Sequence, residues 1–356
     1  MSKETLEHLN LNTLIGNTNQ RGTAWHYRSE LQGEETNHYP GPIPVQDVRR
    51  RLFHWEAQSR RIAVETPTTI PTMTHLNPAG YPMRWAIVDD RQAICRSNDT
   101  EGTPMGIFKS GYVIHQYQEW LLTTVANILD ENLAISSAGL LKDGAIAWVE
   151  VSVPETLTTP EGLDFRPNLL ATTSHDGSIA TTFKRTVTAT VCDNTRAMAL
   201  AEKGQTYKVK HSRNSGLRLG QAREALAMLH TIAEDFTTEV AHLAATRVTA
   251  QTWSRFLNTA VPLTAPDGTS LTKRALTTAR NKQEALDNLY QWDHRAATWR
   301  GTALGVMQAV NTYEHHHATV RGTTRPERNM LRTVTGEYDT IDNATWNTLS
   351  KVLQTV

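Results

Sequence analysis

Four places in this 356-residue sequence group side chains that can do chemistry. In His175-Asp176-Gly177-Ser178 an imidazole stands beside a carboxylate, the pairing a general base needs, and an Asp with a hydroxyl suits a divalent ion. The same residues also suit a turn between two strands. Cys192-Asp193-Asn194-Thr195-Arg196 holds a thiol with a cation four residues on, which can lower a thiol's pKa. Read blandly, Cys192 is a small buried residue at a strand end and the polar residues cap the next turn. His315-His316-His317 invites a metal. Consecutive helical side chains diverge by about 100°, so three neighbours cannot reach one ion without unwinding, and the plainer role is to satisfy carbonyls at a helix end.

The fourth place is the clearest charge feature. Between Lys203 and Arg223 stand Lys203, Lys208, Lys210, Arg213, Arg218 and Arg223, six cations with no Asp or Glu among them, joined by Tyr207, His211, Asn214 and three glycines. Such a stretch can follow a phosphate backbone while Tyr207 stacks on a base. A solvated basic loop without a ligand has the same composition.

These residues must be held by elements. Residues 1–105 are polar and proline-rich, which excludes long helices and reads as a loop-rich region. One short helix is expected there, with Val45, Val48, Leu52 and Trp55 on one face and Arg49 to Arg51 solvated. A helix is expected where Tyr117, Leu121, Val125 and Ile128 share a face. Asp143-Gly144 between apolar runs signals a hairpin, and Ala145 to Val153 alternate as a strand with two unlike faces. A second hairpin turns at 175–178, followed by a Thr- and Val-rich run to Cys192. The sheet is thus an antiparallel meander over about 107 to 195.

Beyond Leu200 the chain reads as helical. Ala222, Leu226, Leu229, Ala233, Phe236, Val240 and Leu243 recur at 4,3 spacing, the mark of a long amphipathic helix. A second long helix is expected from Leu289, Trp292, Ala296, Trp299, Ala303, Val306, Val310 and Tyr313. Whether these seams pack internally or against another subunit is open at this level. The expected fold class is α+β: an antiparallel β-meander with a flanking helix, followed by a mostly helical C-terminal half. The organisation is a loop-rich region 1–105, an α+β core 106–250 and a helical region 251–356.

Composition narrows the function classes. Lys plus Arg balance Asp plus Glu at 36 each, which argues against a protein coated in basic charge. Two cysteines are too few for a disulfide framework. No phosphate loop, dinucleotide fingerprint, zinc-peptidase motif, nucleophile elbow or C-x-x-C occurs. The polar start and the lack of an 18-residue apolar run point to a soluble, cytoplasmic protein with no membrane partner.

Six segments in register, Gly106 to Tyr112, Ser137 to Leu140, Gly144 to Val149, Ser174 to Ser178, Val191 to Thr195 and Lys210 to Asn214, resemble the phage/plasmid-like proteins of domain-of-unknown-function family 932. The likeness spans roughly residues 80 to 320. It implies a protein carried by phages, prophages and plasmids, near replication, recombination or anti-restriction genes, with unassigned biochemistry. It also marks His175, Asp176, Arg185, Cys192, Asn194, His211 and Asn214 as polar positions for which catalysis has been suggested.

The leading expectation is nucleic-acid binding in mobile-element DNA metabolism, with single-stranded DNA the favoured partner and a homo-oligomer the expected assembly. Lys203, Tyr207, Lys208, Lys210, His211, Arg213, Asn214, Arg218 and Arg223 would make the contact, with no metal or cofactor. One alternative is an enzyme, such as a metal-dependent nuclease, using His175, Asp176, Cys192 and His211. Another is a protein-interaction module acting on host defence.

Overall fold

A computed structural model describes residues 12–16, 35–68, 75–76, 79, 81–126, 129, 133–152, 156–189, 194–197, 206–212 and 232–354. The fold is α+β. Its main sheet is antiparallel, in the order β1 (Thr13–Ile15), β6 (Ala134–Leu141), β7 (Ile146–Ser152), β9 (Asp164–Ser174), β10 (Thr181–Ala189) and β11 (Asn194–Ala197). Short strands β8 (Leu157–Thr158) and β12 (Thr206–Val209) pair with β9 and β10. The expected meander is therefore present from β6 to β10. Its first hairpin turns through Lys142, Asp143 and Gly144, all at positive φ, the conformation that Asp-Gly tolerates.

Strand β7 shows why both faces are buried. Ala147, Val149 and Val151 face the main core, while Ile146 and Trp148 join Leu141, Leu170 and Val334 in a second cluster. Period-2 alternation thus feeds two apolar layers. The second is closed by helix α6 (Arg325–Thr335), whose Met330 and Leu331 pack on it.

The helical half covers the other face. Helix α2 (Ile232–Ala245) buries Phe236, Val240 and Leu243, with Phe236 against Phe165 of β9 at 4.7 Å between centroids. The first part of its expected seam, Ala222 to Leu229, lies outside the described residues. Helices α3 (Ala250–Ala260), α4 (Lys273–Trp292), α5 (Ala303–Thr312) and α7 (Glu337–Gln354) complete the layer.

The second expected long helix is not continuous. Helix α4 ends at Asp293, whose extended backbone and side-chain bond to the Arg295 amide start a 3-10 turn over His294–Trp299. Gly301 then takes positive φ and Thr302 caps α5. Gly305 lets α5 approach this turn, since a Cβ there would meet the Trp299 carbonyl oxygen at 2.4 Å. The 3,4 spacing persists across the break although the seam does not: Trp292 is 75% exposed, and every residue of α5 is buried. A helix buried all round carries no amphipathic stripe.

Two further expectations change. The 117–128 helix opens with a π-turn, Gln118–Thr123, before one α-turn, Thr124–Ala126, and buries Tyr117, Trp120, Leu121, Leu122 and Val125. Residues 57–109, read as loop-rich or as the start of the meander, form a second antiparallel sheet. Strands β2 (Ala57–Pro67) and β4 (Pro82–Arg96) pair along most of their length, with β3 (His75–Leu76) and β5 (Pro104–Lys109) on the other side of β4. The prolines sit at strand ends, where a missing N–H costs little. Helix α1 (Val45–Arg51) forms as expected and buries Val48. Arg49 and Arg50 are solvated, whereas Arg51 is tucked in and donates to the Thr36 carbonyl, Tyr39 Oη and Asn37 Oδ1.

Candidate functional site

At one end of the main sheet lies a column of five near-parallel rings. Phe108 stacks on Tyr112 at 3.9 Å between centroids, Tyr112 on His211 at 4.9 Å, His211 on His115 at 3.9 Å, and His115 on Trp120 at 3.7 Å. The five rings come from four places: the end of β5 (Phe108), the 111–117 connection (Tyr112 and His115), the π-turn (Trp120) and the residues just after β12 (His211). Beside the column, His175 stacks on Tyr117 at 4.2 Å and meets the edge of Trp55, over which lies the Arg96 guanidinium. Glycines allow this closeness: a Cβ on Gly106 would stand 2.6 Å from the His175 carbonyl oxygen, and one on Gly177 would stand 2.8 Å from Phe108.

A hydrogen-bond chain runs through the column. His115 Nδ1 lies 2.6 Å from Thr181 Oγ1, which lies 2.8 Å from Thr173 Oγ1, which lies 3.2 Å from His211 Nε2. His211 Nδ1 is 3.1 Å from the Val113 carbonyl. A carbonyl only accepts, so His211 carries its proton on Nδ1 and Nε2 must accept. Thr173 supplies that proton, Thr181 donates to Thr173, and His115 Nδ1–H donates to Thr181. Thr181 Oγ1 also lies 3.4 Å from His211 Nε2, a longer contact; whichever hydroxyl donates to His211, the Thr181 proton is used and His115 Nδ1–H must donate to Thr181, which leaves His115 Nε2 as a bare lone pair. That atom has no hydrogen-bond partner among the described residues, nor has either nitrogen of His175.

Burial keeps these rings neutral. It pushes His115 and His175 down to about 3, helped by the neighbouring histidines, and His211 down to about 4 against a raising contribution from the Val113 bond. Removing the central hydroxyl should be costly, because the groups it joins would be stranded. Thr181→Val, nearly isosteric, is expected to lose roughly 1–3 kcal/mol of stability. Urea titration at pH 7 checks this, and an unchanged midpoint would show that the chain contributes nothing.

The four sequence constellations fare differently. His175 and His211 come together at the ring column. Asp176 belongs to the same turn but is bonded to the amide and hydroxyl of Ser178 and to Lys142 Nζ at 3.1 Å, which hold its carboxyl below the usual range against burial. His175 makes no hydrogen bond to it among those described. Cys192 lies outside the described residues, as do Lys203, Arg213, Asn214, Arg218 and Arg223. The backbone of Tyr207 pairs with Phe183 in β12. Lys208 and Lys210 are exposed. At the histidine run, His315 is buried and stacks on Tyr338 at 3.9 Å, and burial takes it down to about 3. Among the described residues no three His, Cys, Asp or Glu side chains are grouped to hold a metal ion.

His115, Thr173, Thr181 and Trp120 were not singled out by sequence. His115 and Thr181 are 66 residues apart, and no local spacing marks them as partners. The sheet also sorts its cations. On β10, buried Lys184 pairs with Asp339 and buried Arg185 with Asp235. Lys208 and Lys210, beside them on and just after β12, make no ion pair with any described residue.

A model of a domain of unknown function, DUF932, matches residues 104–335, which include the ring column, the meander and the described cations of β12. No curated protein matches the chain, and no solved structure does. Among the described residues no helix is long and apolar enough to cross a membrane.

Proposed function

The chain belongs to the DUF932 family, whose description assigns no activity, and we propose from its own residues that it binds nucleic acid, with single-stranded DNA as the preferred form, in the DNA metabolism of a phage or other mobile element. The observation that carries this reading is the contrast on the sheet edge. Buried Lys184 and Arg185 are neutralised by Asp339 and Asp235, whereas Lys208 and Lys210 stand in solvent and form no ion pair with any described acid. They open a sequence stretch that continues through Arg213, Arg218 and Arg223 without an Asp or Glu. Unpaired cations in a row are what a phosphate backbone exchanges for its counterions. Tyr207, between Thr206 and Lys208, would add stacking.

The test is fluorescence anisotropy with labelled single-stranded and duplex oligonucleotides across salt. Binding is expected at low ionic strength and should weaken steeply as salt rises. Lys208→Glu with Lys210→Glu removes two phosphate contacts and adds repulsion, so affinity should drop by about tenfold or more and the salt slope should flatten by about two. No binding at low salt, or an unaffected double variant, overturns the reading.

One observation favours a second reading, an enzyme centred on the histidines. Three imidazole nitrogens, His115 Nε2 and both of His175, are buried without a hydrogen-bond partner among the described residues, and such groups normally find one. A base in an apolar cage can serve proton transfer. Incubation of single-stranded and duplex substrates with and without magnesium, comparing the wild type with His115→Gln, decides it: cleavage that the variant loses supports the enzyme, and no cleavage removes the nuclease form.

A further inference from the structure

The second sheet is anchored in the core by Ala57 and Ile94, and beyond that end it carries an arm that no described element covers. Strand β2 runs for 11 residues and, among the described residues, pairs with β4 alone; beyond Ala57, whose N–H and C=O are taken by the Gln116 side chain, its outer row of backbone groups meets no described strand. Both faces of the β2–β4 ribbon are largely solvated. Ile62 and Val64 share one face with Ala86 and Val88; Ala63 shares the other with Ile87 and Trp85. Val64, Ile87 and Trp85 are 46%, 55% and 62% exposed. A long edge strand with apolar residues on both faces is a template for another strand, and a protein that keeps one uses it.

We propose that β2 joins the same strand of a second copy of this chain, antiparallel about a two-fold axis at Ala63, so that the two small sheets become one. The sequence of the strand is what selects this occupant. Arg60-Arg61-Ile62-Ala63-Val64-Glu65-Thr66 is self-complementary about its centre: the axis sets Arg61 opposite Glu65 of the second copy, Ile62 opposite Val64, and Ala63 opposite itself. The two-fold produces each charge pair twice. Opposite charges directly across a ladder stabilise the pairing, and like charges oppose it.

The register is specified as well. An axis normal to the sheet keeps like faces on one side and so permits only even shifts. A shift of two residues either way sets Arg61 against Ala63 or Pro67 and leaves no charge pair. The groups needed are free to act. Arg61 is exposed and makes no ion pair with any described residue, while its neighbour Arg60 is engaged with the Asp99 carbonyl. Glu65 uses Oε1 for His75, which stacks on Trp85, and keeps Oε2 for the partner. Apart from the bend at Arg61/Ile62, where β4 carries the extra residues, β2 presents an even edge.

Sedimentation velocity of the full chain over a dilution series tests the dimer, and charge exchange tests its register. The wild type should show a concentration-dependent dimer. Arg61→Glu and Glu65→Arg each place like charges opposite one another at both symmetric positions, and each should weaken self-association by about tenfold or more. Mixing the two single variants should restore a dimer, now of two different chains, and both changes in one chain should restore the homodimer. All these residues are exposed, so circular dichroism should show every variant folded. A wild type that stays monomeric at about 100 µM, single reversals that leave association unchanged, or a mixture that fails to reassociate overturns the proposal. A ribbon that instead docks nucleic acid would leave the wild type monomeric while the two reversals move oligonucleotide affinity in opposite directions, which overturns it too.

Discussion

Stability is expected to collapse on mild acidification, well before ordinary carboxylate protonation would cause it. His115, His175 and His315 stand at about 3 in the fold and His211 at about 4, against about 6.5 in an unfolded chain. A group whose folded pKa is depressed in this way is neutral in both states above pH 6.5. Below 6.5 it takes up a proton only on unfolding, so its stabilising contribution is full at neutral pH and is lost as pH falls towards 4 and 3. Glu150 acts with the opposite sign. Burial raises its carboxyl to about 7, so between about 4.5 and 7 the folded state holds a proton that the unfolded state has released. Four histidines against one glutamate leave a net uptake of about three protons on unfolding near pH 5, a slope of roughly 4 kcal/mol per pH unit.

A domain of ordinary stability, about 5–15 kcal/mol, cannot survive more than a few units of that slope. The expected result is an unfolding midpoint in urea that is nearly level above pH 7 and drops steeply from pH 6.5 to 5. Tryptophan fluorescence serves as the probe, with Trp55 and Trp120 in or beside the ring column. A midpoint unchanged between pH 7 and 5 would contradict the burial of these imidazoles. His175→Phe sharpens the test. The ring keeps its stack on Tyr117 while two stranded nitrogens disappear, so stability should rise at pH 7 and the acid slope should lose one proton. A fall in stability instead would mean that His175 holds a ligand, which supports the enzymatic reading.

The second large effect is expected at Gly139. In the β6–β7 ladder Gly139 stands opposite Trp148, and a Cβ on it would lie 2.1 Å from the indole edge. Trp148 has no exposed surface and is walled in by Leu141, Ile146, Leu170 and Val334, with Nε1 directed at Ser137 Oγ. The indole has nowhere to go. Gly139→Ala should therefore cost roughly 3 kcal/mol, the upper range for overpacking, even though alanine is the better residue for a strand on backbone entropy. Trp148→Ala should cost about 3–5 kcal/mol through the cavity it leaves.

Together the two changes should be far less than additive. With the indole gone, the methyl at 139 enters open space and regains the backbone entropy that glycine loses. A double-mutant cycle in urea reads the coupling directly. Independent, additive costs would show that the indole does not rest on Gly139.

Much of the frame was legible because it rests on local periodicity. The alternation through Ala147, Val149 and Val151, the Asp143-Gly144 turn and the α1 face of Val48 and Leu52 each follow from spacing within a few residues. The second sheet was hidden because, away from the buried end at Ala57 and Ala93 to Cys95, β2 and β4 are solvated on both faces. Ile62 to Val64 and Ala86 to Val88 do not alternate cleanly, since neither side faces a core, and the prolines around them read as loop. Across 289–313 the opposite error arose. A 3,4 rhythm survives a helix break when the pieces on either side bury apolar residues against common neighbours, so Trp299 and Ala303 kept the rhythm while Asp293 and Gly301 turned the chain.

By itself the sequence determined the α+β class, the meander and the uninterrupted run of cations from Lys203 to Arg223. Each is a statement about neighbours along the chain, where strand and helix periods and local charge density act. Only the tertiary structure decided which chemistry those residues keep. It put His175 and His211 with His115, Thr173 and Thr181, drawn from segments far apart in sequence, and burial among rings made the imidazoles neutral. It gave Asp176 to Ser178 and Lys142. It spent Lys184 and Arg185 on Asp339 and Asp235 and left Lys208 and Lys210 in solvent. Protonation and charge availability depend on distance and desolvation, which the folded chain sets between residues that the linear order keeps apart.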